Sequence, residues 1–294
     1  MNLEAEFLTD ITRRCFPSEL TDKYLRERIF FPLRFTRRES QPGHPEIAKK
    51  MSEMAELKGV DCKNSINTTV KTAIRKLVDT FGEEMAGDGV NTAPLIQGER
   101  GKHGAWQEAY RWLWDYQFPR WKLDWFWREL VKQAMSPAGW IRFTPAGKCK
   151  GLVVPPGKQR EQPAIGLNIP SAMFIDLAEN RGNLLLLNRG LGTRYVICPS
   201  TAFAPKNRLM GETILIPDSG AMCEEMIFDS LGQEEFLGIV VDWDWDFDWL
   251  QLNEEQPVPI WDGERLEDLW VKLEKQGSWC GFYQCCEVVE VPKI

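Results

Sequence analysis

The residues with the strongest chemical character lie in one run, Asp-Trp-Asp-Trp-Asp-Phe-Asp-Trp-Leu at positions 242–250. Period-two alternation sends Trp243, Trp245, Phe247 and Trp249 to one side of an extended chain and Asp242, Asp244, Asp246 and Asp248 to the other. Carboxylates at such spacing raise the question of a Ca²⁺ loop. Counting from Asp244, positions 1, 3, 5 and 12 are Asp244, Asp246, Asp248 and Glu255, but position 6, where a sharp turn needs Gly, is Trp249. The four carboxylates are therefore read as an acidic, aggregation-resistant surface or as a docking patch for a basic partner, and Trp243, Trp245, Trp249, Asp244, Asp246 and Asp248 are the expected partner-binding residues.

Other reactive residues find no constellation. Eight cysteines stand at 15, 62, 149, 198, 223, 280, 285 and 286, without a C-x-x-C pair, and the histidines are His44 and His103 alone. No zinc site of ordinary spacing can be written, and the cysteines are expected to be reduced, buried and cytoplasmic. Cys149, between Lys148 and Lys150, would be a reactive thiol only with a base beside it, and none follows nearby. There is no G-x-S-x-G, P-loop or dinucleotide fingerprint. The adjacent pairs Glu224/Glu225 and Glu234/Glu235 point apart on a strand. No catalytic residue, metal or cofactor is assigned, and an enzyme is the third-ranked reading.

The elements that must hold these residues follow from periodicity. From Gly182 to Asp242, apolar runs (Leu184 to Leu187, Tyr195 to Cys198, Thr213 to Ile216, Met226 to Phe228, Phe236 to Val241) alternate with Gly, Pro, Asn and Asp, the signature of short antiparallel strands. Residues 173–177 and 279–291 add strands, residues 140–154 two more, and Glu264 to Lys275 a helix. The first half is helical: a stripe through Leu3, Phe7, Ile11 and Cys15, a second helix capped by Ser18 or Thr21, and a third from Glu46 to Leu57. After a turn at 59–65, a fourth helix runs from Ile66 to Phe81, closed by Gly82. A helical hairpin spans Trp106 to Met135, broken at Phe118-Pro119. Six of the thirteen tryptophans fall between 106 and 127; Trp112 and Trp127 leave the main stripes and are expected to pack on another domain or a partner. The fold class is α+β: a helical domain over 1–143, then an antiparallel β-sandwich-like domain over 144–294 with one C-terminal helix and a long loop at 155–163.

The net charge of −7 is unevenly spread. Residues 1–160 hold 27 Lys/Arg against 20 Asp/Glu, and residues 161–294 hold 9 against 23. Arg13, Arg14, Lys71, Arg75 and Lys76 are the expected nucleic-acid contacts in the alternative reading, a winged-helix-like regulator whose residues 1–143 bind nucleic acid under an acidic sensing domain. The turn before the fourth helix is longer than such motifs use, and no hairpin wing follows. The charged N-terminal stretch does not read as a signal peptide, no apolar run is long enough to span a membrane, and a cytoplasmic location is expected.

The order of LLLLNRGLGTRYVICPS, AFAPKNRLMGETILIP, FDSLGQEEFLGIVVD and LWVKLEKQGSWCGFYQCCEVVEV resembles a bacterial domain family of unknown function, frequent in cyanobacteria. Its members are appended to or encoded beside caspase-like peptidases, trypsin-like proteases, protein kinases and conflict-type signalling proteins. The resemblance covers about residues 165–290, through Leu184 to Arg189, Cys198 to Pro205, Gly211 to Pro217 and Glu234 to Val240. It implies a small β sandwich used for recognition and carries over no catalytic residue. The expected function is thus a non-catalytic accessory or adaptor protein of a bacterial defence or signalling system, with a protein partner on its β domain, such as a protease or another effector encoded nearby.

Overall fold

A computed structural model describes residues 2–17, 22–54, 62–97, 105–145, 164–177, 180–210 and 213–290. The loop expected at 155–163, Cys149, His103 and the caps Ser18 and Thr21 lie outside the described residues. The fold is α+β, and the chain forms two compact units, Met1–Lys122 and Leu123–Ile294.

The first unit is built from α1 (Leu3–Cys15), a 3-10 turn at Asp22–Tyr24, α2 (Leu25–Phe35), α3 (His44–Ser52), α4 (Cys62–Gly87), α5 (Ala93–Gln97) and α6 (Ala105–Trp112). Asn2 caps α1, its side-chain oxygen accepting from the Ala5 N–H at 3.1 Å. Phe7, Ile11 and Cys15 lie on its inward stripe; α1 packs against α2 and α4, whose Phe31, Phe35, Ile74, Leu77 and Phe81 are likewise buried, and the Phe7 ring meets Trp114, Phe118 and Trp121. Two boundaries differ from the sequence reading. Helix α4 begins by Cys62, inside the expected turn, and passes Gly82, because Met85 extends the buried stripe by one turn beyond Phe81. It stops where Gly89 takes a left-handed conformation (φ 80°) and the Val90 N–H reaches back to the Met85 carbonyl.

The expected break at Phe118-Pro119 is also absent. Helix α6 runs into a π-helical turn, Leu113–Gln117, and then into α7 (Phe118–Gln133) without a non-helical residue between them. The Phe118 N–H donates to the Leu113 carbonyl, five residues back. That wider turn re-phases the backbone just where Pro119 has no N–H to give, so the proline is accommodated instead of ending the helix.

The second unit carries two sheets. The smaller has the order β1 (Ile141–Pro145), β3 (Ser171–Ile175), β7 (Ile214–Ile216), all antiparallel. The larger has the order β2 (Ala164–Gly166), β9 (Cys280–Val289), β8 (Gly232–Val241), β4 (Arg181–Arg189), β5 (Arg194–Cys198), with β6 (Arg208–Met210) also paired to β4. Its β2–β9 pair is parallel, so the larger sheet is mixed, a departure from the antiparallel expectation. Met226 makes only an isolated bridge to Ser171, so the strand expected at 226–228 is not formed.

Leu184, Leu186, Phe236, Val240 and Phe282 from the larger sheet share one core with Ile141, Met173, Ile175 and Ile216 from the smaller. Their alternates Leu185, Leu187, Leu237 and Ile239 point to the opposite face and are just as buried. Strands covered on both faces read as unbroken apolar runs, which is why the four leucines of β4 show no alternation. On that second face Trp127 of α7 stacks on Trp261, which precedes α8 (Gly263–Gln276), with centroids 4.9 Å apart and planes within 5°. Helix α8 is capped by the Asp262 carboxylate at both the Glu264 and Arg265 amides and ends at the left-handed Gly277. It buries Leu266, Leu269, Trp270 and Leu273.

Candidate functional site: an aromatic and acidic ladder

At Val241 the chain leaves the larger sheet. The chain bends at Asp242 and Trp243, residues 244–247 follow without strand partners, and Asp248–Leu250 form a 3-10 turn. The sequence expectation of alternation holds as burial, with Trp243, Trp245, Phe247 and Trp249 half-buried and Asp242, Asp244, Asp246 and Asp248 exposed. No sheet enforces it. The segment is a strap, positioned by side chains.

Asn183 of β4, paired opposite Val241 and itself buried, fastens the start of the strap. Its side-chain amide donates to the Trp243 carbonyl at 2.7 Å and to the Asp244 carboxylate at 3.0 Å. The Trp245 indole N–H donates to the Asn183 carbonyl at 3.3 Å. The neighbouring Gly182 has φ 134°, and a Cβ there would stand 2.2 Å from the Val241 carbonyl oxygen, so only glycine lets β4 approach β8 at this point.

The rings then succeed one another along the strap. Trp243 and Trp245 meet edge-on with centroids 4.5 Å apart, Trp245 and Phe247 stack at 6.2 Å, and Phe247 and Trp249 stack at 5.2 Å. Two cations of α8, Arg265 and Lys272, lie two helical turns apart on one face and reach this ladder. The Lys272 ammonium sits 4.9 Å from the Trp243 centroid and 5.2 Å from that of Phe247, and it bonds the Asp246 carboxylate. The Arg265 guanidinium lies 5.9 Å from the Trp249 centroid and donates to the Ile260 carbonyl. The indole N–H groups of Trp243 and Trp249 are sealed from solvent without an acceptor. A cavity of about 350 Å³ opens at one end, between Trp243, Asp242, Asp244, Arg181, Arg208 and Met210, and another of about 240 Å³ opens at the other, beside Trp249, Gln251 and Arg265.

Asn183, Arg265 and Lys272 were not foreseen as members of this site. Arg265 and Lys272 stand seven apart in the sequence, a same-face spacing, but only the tertiary path of the strap joins them to the tryptophans. No group of three or more His, Cys, Asp or Glu among the described residues could hold a metal ion. The geometry explains this for the Asp ladder: carboxylates two residues apart on an extended chain are about 6–7 Å from one another and splay into solvent.

Of the two off-stripe tryptophans, Trp112 is covered inside the first unit, against Phe81 and Asp88, instead of on another domain or a partner, whereas Trp127 does pack on residues of the expected second domain, Trp261 and Glu235. Trp112 is 1% exposed, and its N–H donates to the Asp88 carboxylate at 2.8 Å. Hydrogen bonds from Arg120, and secondarily from Trp112, hold that carboxyl below its ordinary pKa. Trp127 is 2% exposed and donates to Glu235, which also accepts from the Tyr283 hydroxyl at 2.6 Å. Glu234 and Glu235 do point apart. Glu234 is buried and accepts from Asn188 at 2.7 Å, and its carboxylate fills the space where a Gly190 Cβ would stand.

The basic residues of the helical unit are divided. Arg13, Lys71 and Arg75 are exposed. Arg14 lies 3.9 Å from Glu84 and over the Phe81 ring, and Lys76 lies 3.8 Å from Asp79 and over the Tyr24 ring. Arg34 of α2, by contrast, is inside. It is 2% exposed, lies 3.1 Å from the Trp106 centroid and donates to the Pro42 carbonyl at 2.5 Å. Burial lowers its pKa to about 10. Burial also lowers that of His44, with the Arg34 charge adding to the fall.

No helix among the described residues is long and apolar enough to cross a membrane. Compared with family models, with curated proteins and with solved structures, the chain finds no match.

Proposed function

We propose that this is a non-catalytic accessory protein that binds a partner protein through the strap of its strand-rich unit, in a cytoplasmic bacterial defence or signalling system. The system is suggested by the family resemblance of residues 165–290. The docking role is supported by one observation above the rest: four successive aromatic rings are held partly exposed in a ladder outside the sheet, bordered by four exposed carboxylates. Large aromatics left partly open in a fixed arrangement are the residues that carry most interface energy when a partner covers them.

The test is site-specific photo-crosslinking. A benzophenone side chain placed at Asp244 or Asp248 should give one defined adduct in extracts of the native host, with its partner identified by mass spectrometry and recovered again in a reciprocal purification. The same group at Glu224, exposed but off the strap, should give none. Adducts that are equal from all three positions, or absent from all three, would refute the reading.

A second reading keeps the helical unit as a nucleic-acid contact. Arg13, Lys71 and Arg75 support it, being exposed on α1 and α4, two helices that pack together. Anisotropy of the full chain with labelled duplex DNA and single-stranded RNA at low and physiological salt tests it. Binding that weakens steeply with salt and falls in an Arg13→Ala/Lys71→Ala/Arg75→Ala variant would support it.

A further inference from the structure

The ladder already holds cations of this chain against its rings. Of the groups that reach its rings, two are cations from α8: the Lys272 ammonium between Trp243 and Phe247, and the Arg265 guanidinium over Trp249. An ammonium within about 6 Å of ring centroids is attracted by their electron-rich faces, more strongly as it is desolvated, and Lys272 is only 20% exposed. Two cations of α8 reach the rings themselves, and Arg181 and Arg208 line the cavity beside Asp242 and Asp244, so cations of this chain already neighbour the strap at the positions a partner's cation would take. Asp246, the partner of Lys272, is 71% exposed, so the ion pair that holds the lysine is open to competition from solvent.

We infer that the ladder receives a basic segment of the partner protein, one of whose lysine or arginine side chains takes the position that Lys272 fills in the free protein. This rests on the docking reading above and names the chemistry of the occupant. The incoming cation gains the same two rings and the same Asp246 carboxylate. Flanking positive charges meet the exposed Asp248, and at Asp242 and Asp244 they share the carboxylates with Arg181 and Arg208 of the adjoining cavity. Displaced, Lys272 returns to water on an exposed turn of α8 at small cost. Lys272 is thus an internal competitor: it keeps the rings in place when no partner is bound and lowers the apparent affinity for one that binds.

The experiment measures fluorescence anisotropy of labelled octalysine with the full-length protein. Lys272→Gln should bind about tenfold more tightly than the wild type, because the competing cation is gone. Trp243→Ala/Phe247→Ala should bind about tenfold more weakly with its net charge unchanged. Asp242→Asn/Asp248→Asn, at exposed positions that do not test folding, should weaken binding and flatten its salt dependence, whereas Glu224→Gln/Glu225→Gln should not differ from wild type. Tetramethylammonium should compete better than sodium at equal ionic strength, since only the former recognises the rings. Equal affinities for wild type and Lys272→Gln, or a ring-independent affinity set by net charge alone, would overturn the inference. If that happens while the benzophenone at Asp244 still captures a partner, the docking reading stands and its basic occupant is wrong. If the adduct is also missing, both fall.

Discussion

Trp127 and Trp261 lie face to face, 4.9 Å between centroids and 5° between planes, and neither is more than 2% exposed. The pair joins α7 to the segment that introduces α8 over one face of the larger sheet. The Trp261 N–H is held by the Asn188 and Tyr195 carbonyls, and the Trp127 N–H by Glu235. Each of these two indoles is thus both packed and satisfied at its polar edge, unlike the buried Trp140 and Trp270, whose N–H groups have no acceptor.

Trp127→Ala should cost about 3–5 kcal/mol, the range for emptying a large aromatic site that cannot collapse. Urea unfolding of the strand-rich unit, followed by circular dichroism, measures it. Trp127→Phe should cost clearly less. A loss below about 1 kcal/mol for the alanine variant would mean that the stack is not a structural anchor.

The pH dependence of stability has a contribution from Glu234. Burial raises its carboxyl pKa above the ordinary 4.5; the Asn188 hydrogen bond offsets part of that rise, and the Asp229 charge adds to it. The folded state therefore holds a proton that the unfolded chain has lost between these two pKa values. Stability from this group is complete below about 4.5 and is lost as pH climbs through the raised value. Glu234→Gln keeps the shape and an acceptor for Asn188 without titrating. Its stability relative to wild type should rise from acid toward neutral pH, read from urea midpoints across that range. A difference that does not change with pH would contradict this account.

The thiols should divide by burial. Burial pushes Cys15 and Cys286 up to about 12 and raises Cys198 further, whereas Cys280 is exposed. A thiol held in its protonated form is a poor nucleophile. At pH 8, a disulfide reagent should label Cys280 at least about tenfold faster than these three, which should react at full rate only on unfolding. Peptide mass spectrometry distinguishes them. Comparable native rates at Cys15 or Cys198 would contradict the buried assignment.

Much of the strand-rich unit was legible because its strands are local apolar runs: Leu184 to Leu187, Tyr195 to Cys198 and Phe236 to Val241 all lie in strands. What periodicity could not show is pairing. Met226 to Phe228 has strand composition but finds only one bridge partner, and the parallel addition of β2 to β9 joins segments more than 100 residues apart. In the helical half, Pro119 and Gly82 look like breakers because the compensations are not local signals: a π turn in one case and the burial of Met85 in the other. The ladder was visible as an alternation of Trp and Asp. Its real support, from Asn183 and the two α8 cations, could not be read without the path of the strap.

In the proposed function, the partly exposed rings of the strap carry partner affinity. That role is tested most directly by titrating the cross-linked partner, once purified, into the wild type and into Trp245→Ala/Trp249→Ala by calorimetry. Circular dichroism should first confirm that both proteins are folded. A loss of tenfold or more in affinity, corresponding to roughly 1.4 kcal/mol or above, is the predicted result. An affinity unchanged by removal of both indoles would contradict it and leave the ladder as a structural strap alone.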